Sequence, residues 1–324
     1  LAAIPVVEMR KRPAPILPAE DPPSQSAQPP APPSAIASSA SSSQRLLNVA
    51  VATDLDEPFG LLALINSTIC HCSSPSDLRF HVIVPPGSRR RLRLLLESLF
   101  PPASFRMYSL DVGGARSKIL RHLRRREREP VLVSPYRYTL AYLPLLLPVH
   151  VRRVLWLQTD VLVLADVAPL VLETELRGAP AGAVEDCANP AGHRINNSHP
   201  GVSGALTAET CGIDTGVVLI DLVQWGLLDM VARVEYWQSL NLRSASFFAH
   251  DDAHAALLLA LLPIYARLPA SWSVNGLAER QSVRGETPGA GHELLGALAR
   301  RARSTLALQG AGATRRIAVL AVAG

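Results

Sequence analysis

The sequence predicts an α/β fold with a mostly parallel central sheet. Between residues 46 and 110, short apolar runs alternate with segments of helical apolar spacing, an order typical of strand–helix–strand units. A later apolar run, residues 154–164, is interrupted only by Gln158, Thr159 and Asp160. A central parallel strand is apolar throughout because helices cover both faces of its sheet. These observations predict a buried sheet in the middle of the domain.

The ends of the chain differ in composition from its middle. Residues 13–43 are mostly Pro, Ala, Ser and Gln, which bury too little apolar surface to offset the entropy of the chain. We therefore expect a disordered stem or tail over residues 1–45 and a folded domain over residues 46–280. Residues 281–324, rich in Gly, Ala, Arg and Leu, form a divergent C-terminal tail in this interpretation.

The predicted domain begins with three strands and two intervening helices. The strands are expected at residues 46–54, 78–84 and 105–110, and the helices at residues 59–70 and 89–100. The first strand ends in the polar residues Thr53 and Asp54, where such a sheet would meet a nucleotide. The turn that follows has no glycine-rich phosphate loop, so a dinucleotide fingerprint and a Walker motif are both absent.

Asp160 is the first candidate for chemistry, because it follows the apolar run 154–157. Ligands of open α/β sheets bind beyond the carboxyl ends of the strands. A buried carboxylate without a partner is costly, so Asp160 should reach the strand edge, bind a metal or accept hydrogen bonds. From the residues alone, an aspartate that caps the next turn is an equally good interpretation.

The formal net charge of +5 comes mostly from arginine. Two clusters stand out: Arg89, Arg90, Arg91 and Arg93, and then Arg121, Arg124, Arg125, Arg126 and Arg128. Nucleic-acid binding is one interpretation of such clusters. Neither cluster carries aromatic residues that could stack on bases, and Glu127 and Glu129 interrupt the second. We therefore expect solvated helix faces and no nucleic-acid partner.

The cysteines and the glycosylation sequons give information on the cellular compartment of the protein. Cys70 and Cys72 lack the partner ligands of a zinc site, and spacing alone identifies no disulfide. Sequons at Asn66 and Asn196 give weak support to a secretory location. No apolar run reaches the roughly 18–20 residues that cross a bilayer. A membrane anchor upstream of Leu1 stays open at this point.

The segment RRVLWLQTDVLVLADVAPL resembles the strand of glycosyltransferase family 8 that carries an acidic D-x-D motif. Gln158 takes the place of the first acid, Thr159 the middle position and Asp160 the second acid. In the family, a divalent cation such as Mn²⁺ binds these oxygens and bridges the two phosphates of a nucleotide-sugar. The resemblance implies that Asp160 and Gln158 bind the cation weakly, since an amide offers an oxygen without a charge.

Other segments resemble the same family. NVAVATDLDEPFGLLALINST is similar to its opening strand and turn, which implies that Thr53 and Asp54 hold the nucleoside of UDP. TCGIDTGVVLIDLVQW is similar to a signature of the plant galacturonosyltransferase-like branch. That similarity implies that Asp214 faces the donor sugar and that Thr215 and Gly216 contact the nucleotide-sugar.

Two further matches and two departures complete the resemblance. Asp251 and Asp252, after His250, fall where other members have a D-Q-D run that handles the donor sugar. Cys187 and Cys211 both match cysteines of the branch, which implies that they can pair in an oxidising compartment. The departures are Leu140 and Leu145, which replace a family Arg and Asp, and a tail without the final K-P-W motif, where His292 is the only histidine.

The resemblance covers about residues 48–277 and implies a GT-A-type nucleotide-sugar-binding domain. The expected activity is that of a retaining hexosyltransferase, which moves a sugar from a UDP-sugar to an acceptor glycan. The branch implies galacturonic acid as the sugar, a pectin-like cell-wall acceptor and a Golgi or secretory location, as a type II membrane protein. The alternative is a catalytically impaired relative that keeps the fold as a binding or partner module.

Overall fold

The computed structural model of the 324-residue chain describes its central part. The described residues are 46–54, 58–101, 103–123, 134–202, 206–207, 209–243, 247–248, 254–274 and 318–320. The predictions for residues 1–45 lie outside them, as do those for the tail apart from residues 318–320.

A seven-stranded mixed sheet lies at the centre of the described residues, in the order β3-β2-β1-β4-β7-β6-β8. Two short strands, β5 and β9, pair with each other in parallel beside it. The strands are β1 (Leu47–Ala52), β2 (Leu78–Ile83), β3 (Ser104–Tyr108), β4 (Arg153–Leu157), β5 (Val161–Val163), β6 (Ala181–Asp186), β7 (Gly212–Asp221), β8 (Ala266–Arg267) and β9 (Ala318–Leu320).

Most of the strand pairs are parallel, as the sequence predicts. β1 pairs in parallel with β2 and β4, β2 with β3, and β6 with β8. β7 runs antiparallel to both β4 and β6. The predicted central strand is confirmed, since β4 lies between β1 and β7 and its residues 154–157 are all buried.

Helices cover both faces of the sheet. They are α1 (Pro58–His71), α2 (Arg89–Leu99), α3 (Ala115–Leu123), α4 (Leu143–Leu146), α5 (Ala168–Glu173), α6 (Leu222–Leu227), α7 (Met230–Arg243) and α8 (Ala255–Leu261). β4 shows how the two layers form. Val154 and Trp156 belong to the core with α3, α4, α7 and α8, whereas Leu155 and Leu157 belong to the core with α1, α2 and α5. Alternation along a strand sends successive side chains into opposite layers.

Helix α2 has the two faces that its sequence predicts. Leu92 and Leu96 are buried, whereas the four arginines of the first cluster are exposed. This arrangement agrees with a solvated helix face. Within the described residues, no helix has both the length and the apolar character that crossing a membrane requires.

The segment before β4 is not a regular α-helix. Residues Pro135–Tyr142 form a 3₁₀ helix, and only the single turn of α4 follows it. Pro144 explains why no continuous α-helix forms, because proline donates no backbone hydrogen bond and its ring clashes with the carbonyl four residues earlier. Leu140, which replaces the family Arg, is buried in the core.

Candidate functional site

The polar ends of β1 and β4 meet at one edge of the sheet. In the parallel ladder, Val49 pairs with Leu155 and Ala50 with Trp156. Because β1 and β4 are parallel neighbours, the polar residues that follow them, 53–54 and 158–160, come at the same edge of the sheet. The end of β1 is fixed to its other neighbour, since the Thr53 amide donates to the Ile83 carbonyl at 3.0 Å. The two polar segments that the sequence singles out thus follow neighbouring strands at one edge of the sheet.

The turn at residues 158–160 is held by backbone contacts. The Gln158 amide donates to the Gly216 carbonyl at 3.0 Å, and the Val161 amide donates to the Gln158 carbonyl at 3.1 Å. The first turn of helix α1 also lies against this turn. A Cβ on Gly60 would lie 2.6 Å from the Thr159 carbonyl oxygen, closer than real Cβ atoms come. Glycine at position 60 thus allows the first turn of α1 to contact the candidate site.

His254 lies between two of the predicted site residues. Its Nδ1 is 2.9 Å from the Thr215 hydroxyl oxygen, and its Nε2 is 3.5 Å from the Gln158 amide nitrogen. A neutral imidazole with the proton on Nδ1 satisfies both contacts, because Nδ1–H then donates to Thr215 and Nε2 accepts from Gln158. The side chain is nearly buried, with 9% of its surface exposed. The two contacts fix the orientation of Gln158 relative to β7.

Sequence reasoning missed His254. The family pattern directs attention to the run 250–252, which ends two residues earlier, and a histidine in front of the apolar run AALLLAL carries no motif of its own. Asp251 and Asp252 lie outside the described residues, so their predicted role stays a prediction. The only sequence signal for His254 is that it stands directly before an apolar run, which the structure shows to be α8.

Asp214 lies within β7 and is 8% exposed. Its Oδ1 accepts from the Gly216 amide at 2.8 Å, and its Oδ2 accepts from the Ser273 hydroxyl. Burial raises the pKa of this carboxyl, although both hydrogen bonds favour the charged form. Thr215, the next residue, has a different partner, because neighbouring residues of a strand face opposite ways. Asp214 is therefore a buried, hydrogen-bonded carboxyl near the start of β7.

Two side chains of the turn at residues 158–160 carry oxygen atoms that could bind a metal ion. Asp160 offers a carboxylate oxygen and Gln158 an amide oxygen. Oxygen ligands of these two kinds suit hard divalent cations such as Mg²⁺ and Mn²⁺. No group of three or more His, Cys, Asp or Glu side chains that could hold a metal occurs among the described residues. The chemistry of the two oxygen donors at the turn is compatible with a divalent cation.

A disulfide joins the strands that flank the site. Cys187 and Cys211 are bonded, with their Cα atoms 4.2 Å apart. The bond connects the end of β6 to the start of β7, three residues before Asp214. The pairing implied by the family resemblance is confirmed.

The chain resembles known proteins along most of its length. The profile of the family described as "Glycosyl transferase family 8" matches residues 48–288. The Arabidopsis thaliana protein "Probable galacturonosyltransferase-like 3" is 32% identical over 202 residues, which are 61% of this chain and 57% of that protein. "Probable galacturonosyltransferase-like 6" of the same plant is 29% identical over 244 residues, 74% of this chain and 68% of that protein. The chain thus spans a little over half the length of the first of these relatives.

Solved structures share the fold. The galactosyltransferase LgtC in complex with donor and acceptor sugar analogs superposes with a TM-score of 0.54 at 16% identity, over 84% of this chain and 86% of that one. The bifunctional glycosyltransferase WbbM in its apo form gives a TM-score of 0.54 at 16% identity, over 79% of this chain and 44% of that one. At this identity the likeness shows the fold alone, and it confirms the predicted GT-A type.

Proposed function

Because this chain belongs to glycosyltransferase family 8, we propose that it is a retaining hexosyltransferase that moves a sugar from a UDP-sugar to an acceptor glycan. The observation that supports the proposal is the parallel pairing of β1 with β4, after which Asp54 and Asp160 follow at the same carboxyl edge of the sheet. Ligands of open α/β sheets bind at this edge. Family membership favours this function over a catalytically impaired binding module.

In this proposal, different residues at the carboxyl edge of the sheet contact different parts of the nucleotide-sugar donor. Thr53 and Asp54 hold the nucleoside, and Thr159, Thr215 and Gly216 line the path of the nucleotide-sugar. The transfer breaks the bond between the anomeric carbon and the diphosphate oxygen. A new bond to an acceptor hydroxyl forms with retained configuration, and UDP leaves with the electron pair of the broken bond and takes up the hydroxyl proton. Asp214, Asp251 and Asp252 are the carboxyl groups that we assign to the sugar side.

We infer that a divalent cation such as Mn²⁺ is held weakly by Asp160 and Gln158. When bound, it supplies positive charge opposite the leaving diphosphate. His254 contributes by orientation, since its contact with the Gln158 amide holds that side chain in one direction. An amide in place of a second carboxylate lowers the Coulomb attraction to the cation, which is the reason for weak binding.

Galacturonic acid is the sugar that we propose, with a pectin-like wall glycan as acceptor. The support is the similarity to the two Arabidopsis relatives, which are named as galacturonosyltransferase-like proteins. An acceptor built from this sugar acid would carry carboxylates of its own.

We propose a location in the Golgi lumen or elsewhere in the secretory pathway. Asn66 and Asn196, the two sequon asparagines, are both exposed, and the Cys187–Cys211 disulfide suits an oxidising compartment. Digestion of the expressed protein with an endoglycosidase should lower its mass, and replacement of both asparagines by Gln should remove that shift. An unchanged mass together with cytosolic fractionation would contradict this location.

The test of function is titration of UDP with and without Mn²⁺, followed by turnover of UDP-galacturonic acid with an oligogalacturonide acceptor. We expect UDP binding that Mn²⁺ strengthens, and transfer of the sugar with retained configuration. UDP-galactose serves as the matched donor that lacks the carboxylate. Binding of UDP without turnover of either donor would instead support the non-catalytic module, and no UDP binding at all would overturn both interpretations.

A further inference from the structure

A cavity of about 300 Å³ lies at the opposite edge of the sheet from the candidate active site. It opens at the amino ends of β1, β2 and β4, and its polar lining comes from Asn48, Arg79, His150, Arg152 and Arg153. We propose that this cavity binds an oxyanion, either the carboxylate of a sugar acid or a phosphate group. The proposal does not depend on the transferase activity.

The sheet register explains why these basic residues come together. Asn48 pairs with Arg79 across the β1–β2 ladder, and both are the second residue of their strand. Arg153 is the first residue of β4, the other parallel neighbour of β1. Since β1 has six residues at about 3.3 Å each, roughly 20 Å of sheet separates the cavity from the polar edge. The cavity is therefore a second site.

The cavity carries an excess of positive charge. Within the part of the chain that the structure describes, the ion pairs formed do not include Arg79, Arg152 or Arg153. Three guanidinium groups with no carboxylate partner among these residues raise the potential of a partly enclosed space, which attracts anions. The described residues that line the cavity include no Asp or Glu.

Two of the guanidinium groups are held in place by neutral partners. Arg153 donates through Nη1 to the Val171 carbonyl at 3.0 Å and through Nη2 to the Thr174 carbonyl. Arg79 donates through Nε to the Ser104 hydroxyl at 3.4 Å. A guanidinium has five N–H donors, so each side chain is oriented and still has donors to offer. Fixed guanidinium forks suit the planar, two-oxygen geometry of carboxylate and phosphate.

His81 lies next to the residues that line the cavity. It lies on β2, two residues from Arg79, and its ring contacts the Asn48 side chain at 3.0 Å. Its pKa falls to about 4, first because it is buried and then because of the positive charges of Arg79, His150 and Arg106. The same charges that disfavour a protonated histidine would favour a bound anion.

The size of the cavity limits its ligand. A volume of about 300 Å³ is at the lower end of small-molecule sites, enough for one sugar-acid unit or a diphosphate. Val151, Val171 and Leu172 form its apolar wall. Such a wall suits the carbon face of a sugar ring, whereas the arginines suit its carboxylate.

The test is calorimetric titration of the full chain with trigalacturonic acid and, separately, with inorganic pyrophosphate, in the presence of saturating UDP. Arg152→Gln is the first variant, because Arg152 lines the cavity and is exposed, so its loss should leave the fold intact. Arg79→Gln is the second. Arg91→Gln is the control, since Arg91 is an exposed arginine in the first turn of α2, which follows the carboxyl end of β2.

We expect each cavity variant to weaken binding about tenfold, as loss of a charge-assisted hydrogen bond does, and Arg91→Gln to leave it unchanged. Binding should also weaken as salt is raised. If the cavity variants weaken the binding of trigalacturonic acid only, the cavity is a sugar-acid site. If they weaken the binding of pyrophosphate only, it is a phosphate site. If neither probe binds, or if wild type and folded Arg152→Gln bind equally well, the proposal is overturned. If Arg79→Gln does not fold, Arg152→Gln decides by itself.

Discussion

The imidazole of His254 hydrogen-bonds the hydroxyl of Thr215, with 2.9 Å between Nδ1 and Oγ1, although the two residues are 39 positions apart. The bond joins the residue before α8 to the middle of β7, and the second ring nitrogen of His254 faces Gln158. A buried polar pair of this kind is costly to break because each partner is then left without a hydrogen bond.

Thr215→Val and His254→Leu should each lower the free energy of unfolding by about 1–3 kcal/mol. The double variant should lose less than the sum of the two, because both changes remove the same bond. Denaturant unfolding of the four proteins measures this coupling. Thr210→Val is the control, since its hydroxyl lies 3.1 Å from that of Thr207 in an exposed pair that water can replace. Strictly additive losses would show that the bond contributes nothing.

Gln158→Asp should strengthen Mn²⁺-dependent UDP binding, because a second carboxylate adds charge against the cation at short range. Asp160→Ala should abolish the dependence on Mn²⁺. Titration of UDP with and without the metal measures both effects, and Gln224→Asp on α6 controls for added negative charge. Should Asp160→Ala leave the dependence intact, the assignment of the turn at residues 158–160 would be wrong.

Gly60→Ala should weaken UDP binding and cost about 1–3 kcal/mol of stability. The added Cβ would lie 2.6 Å from the Thr159 carbonyl oxygen, so the turn or the start of α1 must move. Gly226→Ala on α6 is the matched control, because a Cβ there would meet no atom within 4 Å beyond its own helix and chain neighbours. That change should be neutral or stabilising by about 0.5–1 kcal/mol. Equal behaviour of the two variants would count against the close contact.

Removal of the disulfide with Cys187→Ser and Cys211→Ser together should lower the free energy of unfolding by about 3 kcal/mol, as expected for a loop of 24 residues. A reducing agent should have a similar effect on the wild type and none on the double variant. Cys70→Ser, at an exposed unpaired cysteine, should change little. Insensitivity of the wild type to reduction would argue that the bond does not form.

Asp214→Asn should change how stability depends on pH. The folded-state pKa of Asp214 is raised above 3.8, so the folded protein keeps this proton to higher pH than the unfolded chain does. Its contribution to stability is therefore greatest below 3.8 and decreases as the pH rises through the folded pKa. Asparagine can still accept from the Gly216 amide without carrying a charge.

Unfolding curves over a pH series should thus show a smaller loss of stability with rising pH in Asp214→Asn than in the wild type. Asp229→Asn, in the turn after α6, is the control. An unchanged pH dependence in Asp214→Asn would mean that this carboxyl titrates alike in both states.

The sequence by itself determined the elements and the family. Apolar runs placed β1, β2, β3 and β4 within a few residues of their observed bounds, and amphipathic spacing placed α1 and α2. These patterns are local, because the side-chain periods of strands and helices show within a few residues. The order of the motifs then identified glycosyltransferase family 8 and the pairing of Cys187 with Cys211.

Only the tertiary structure decided which distant residues meet. His254 faces Gln158 across 96 positions, Ser273 bonds Asp214 across 59, and the arginines at the amino ends of β2 and β4 share one cavity. No local period encodes these contacts, since they follow from strand order, register and the paths of the connecting segments. The tertiary structure also determines which side chains are buried. The pKa of Asp214 is raised mainly because the folded chain packs around this residue, which its sequence neighbours do not reveal.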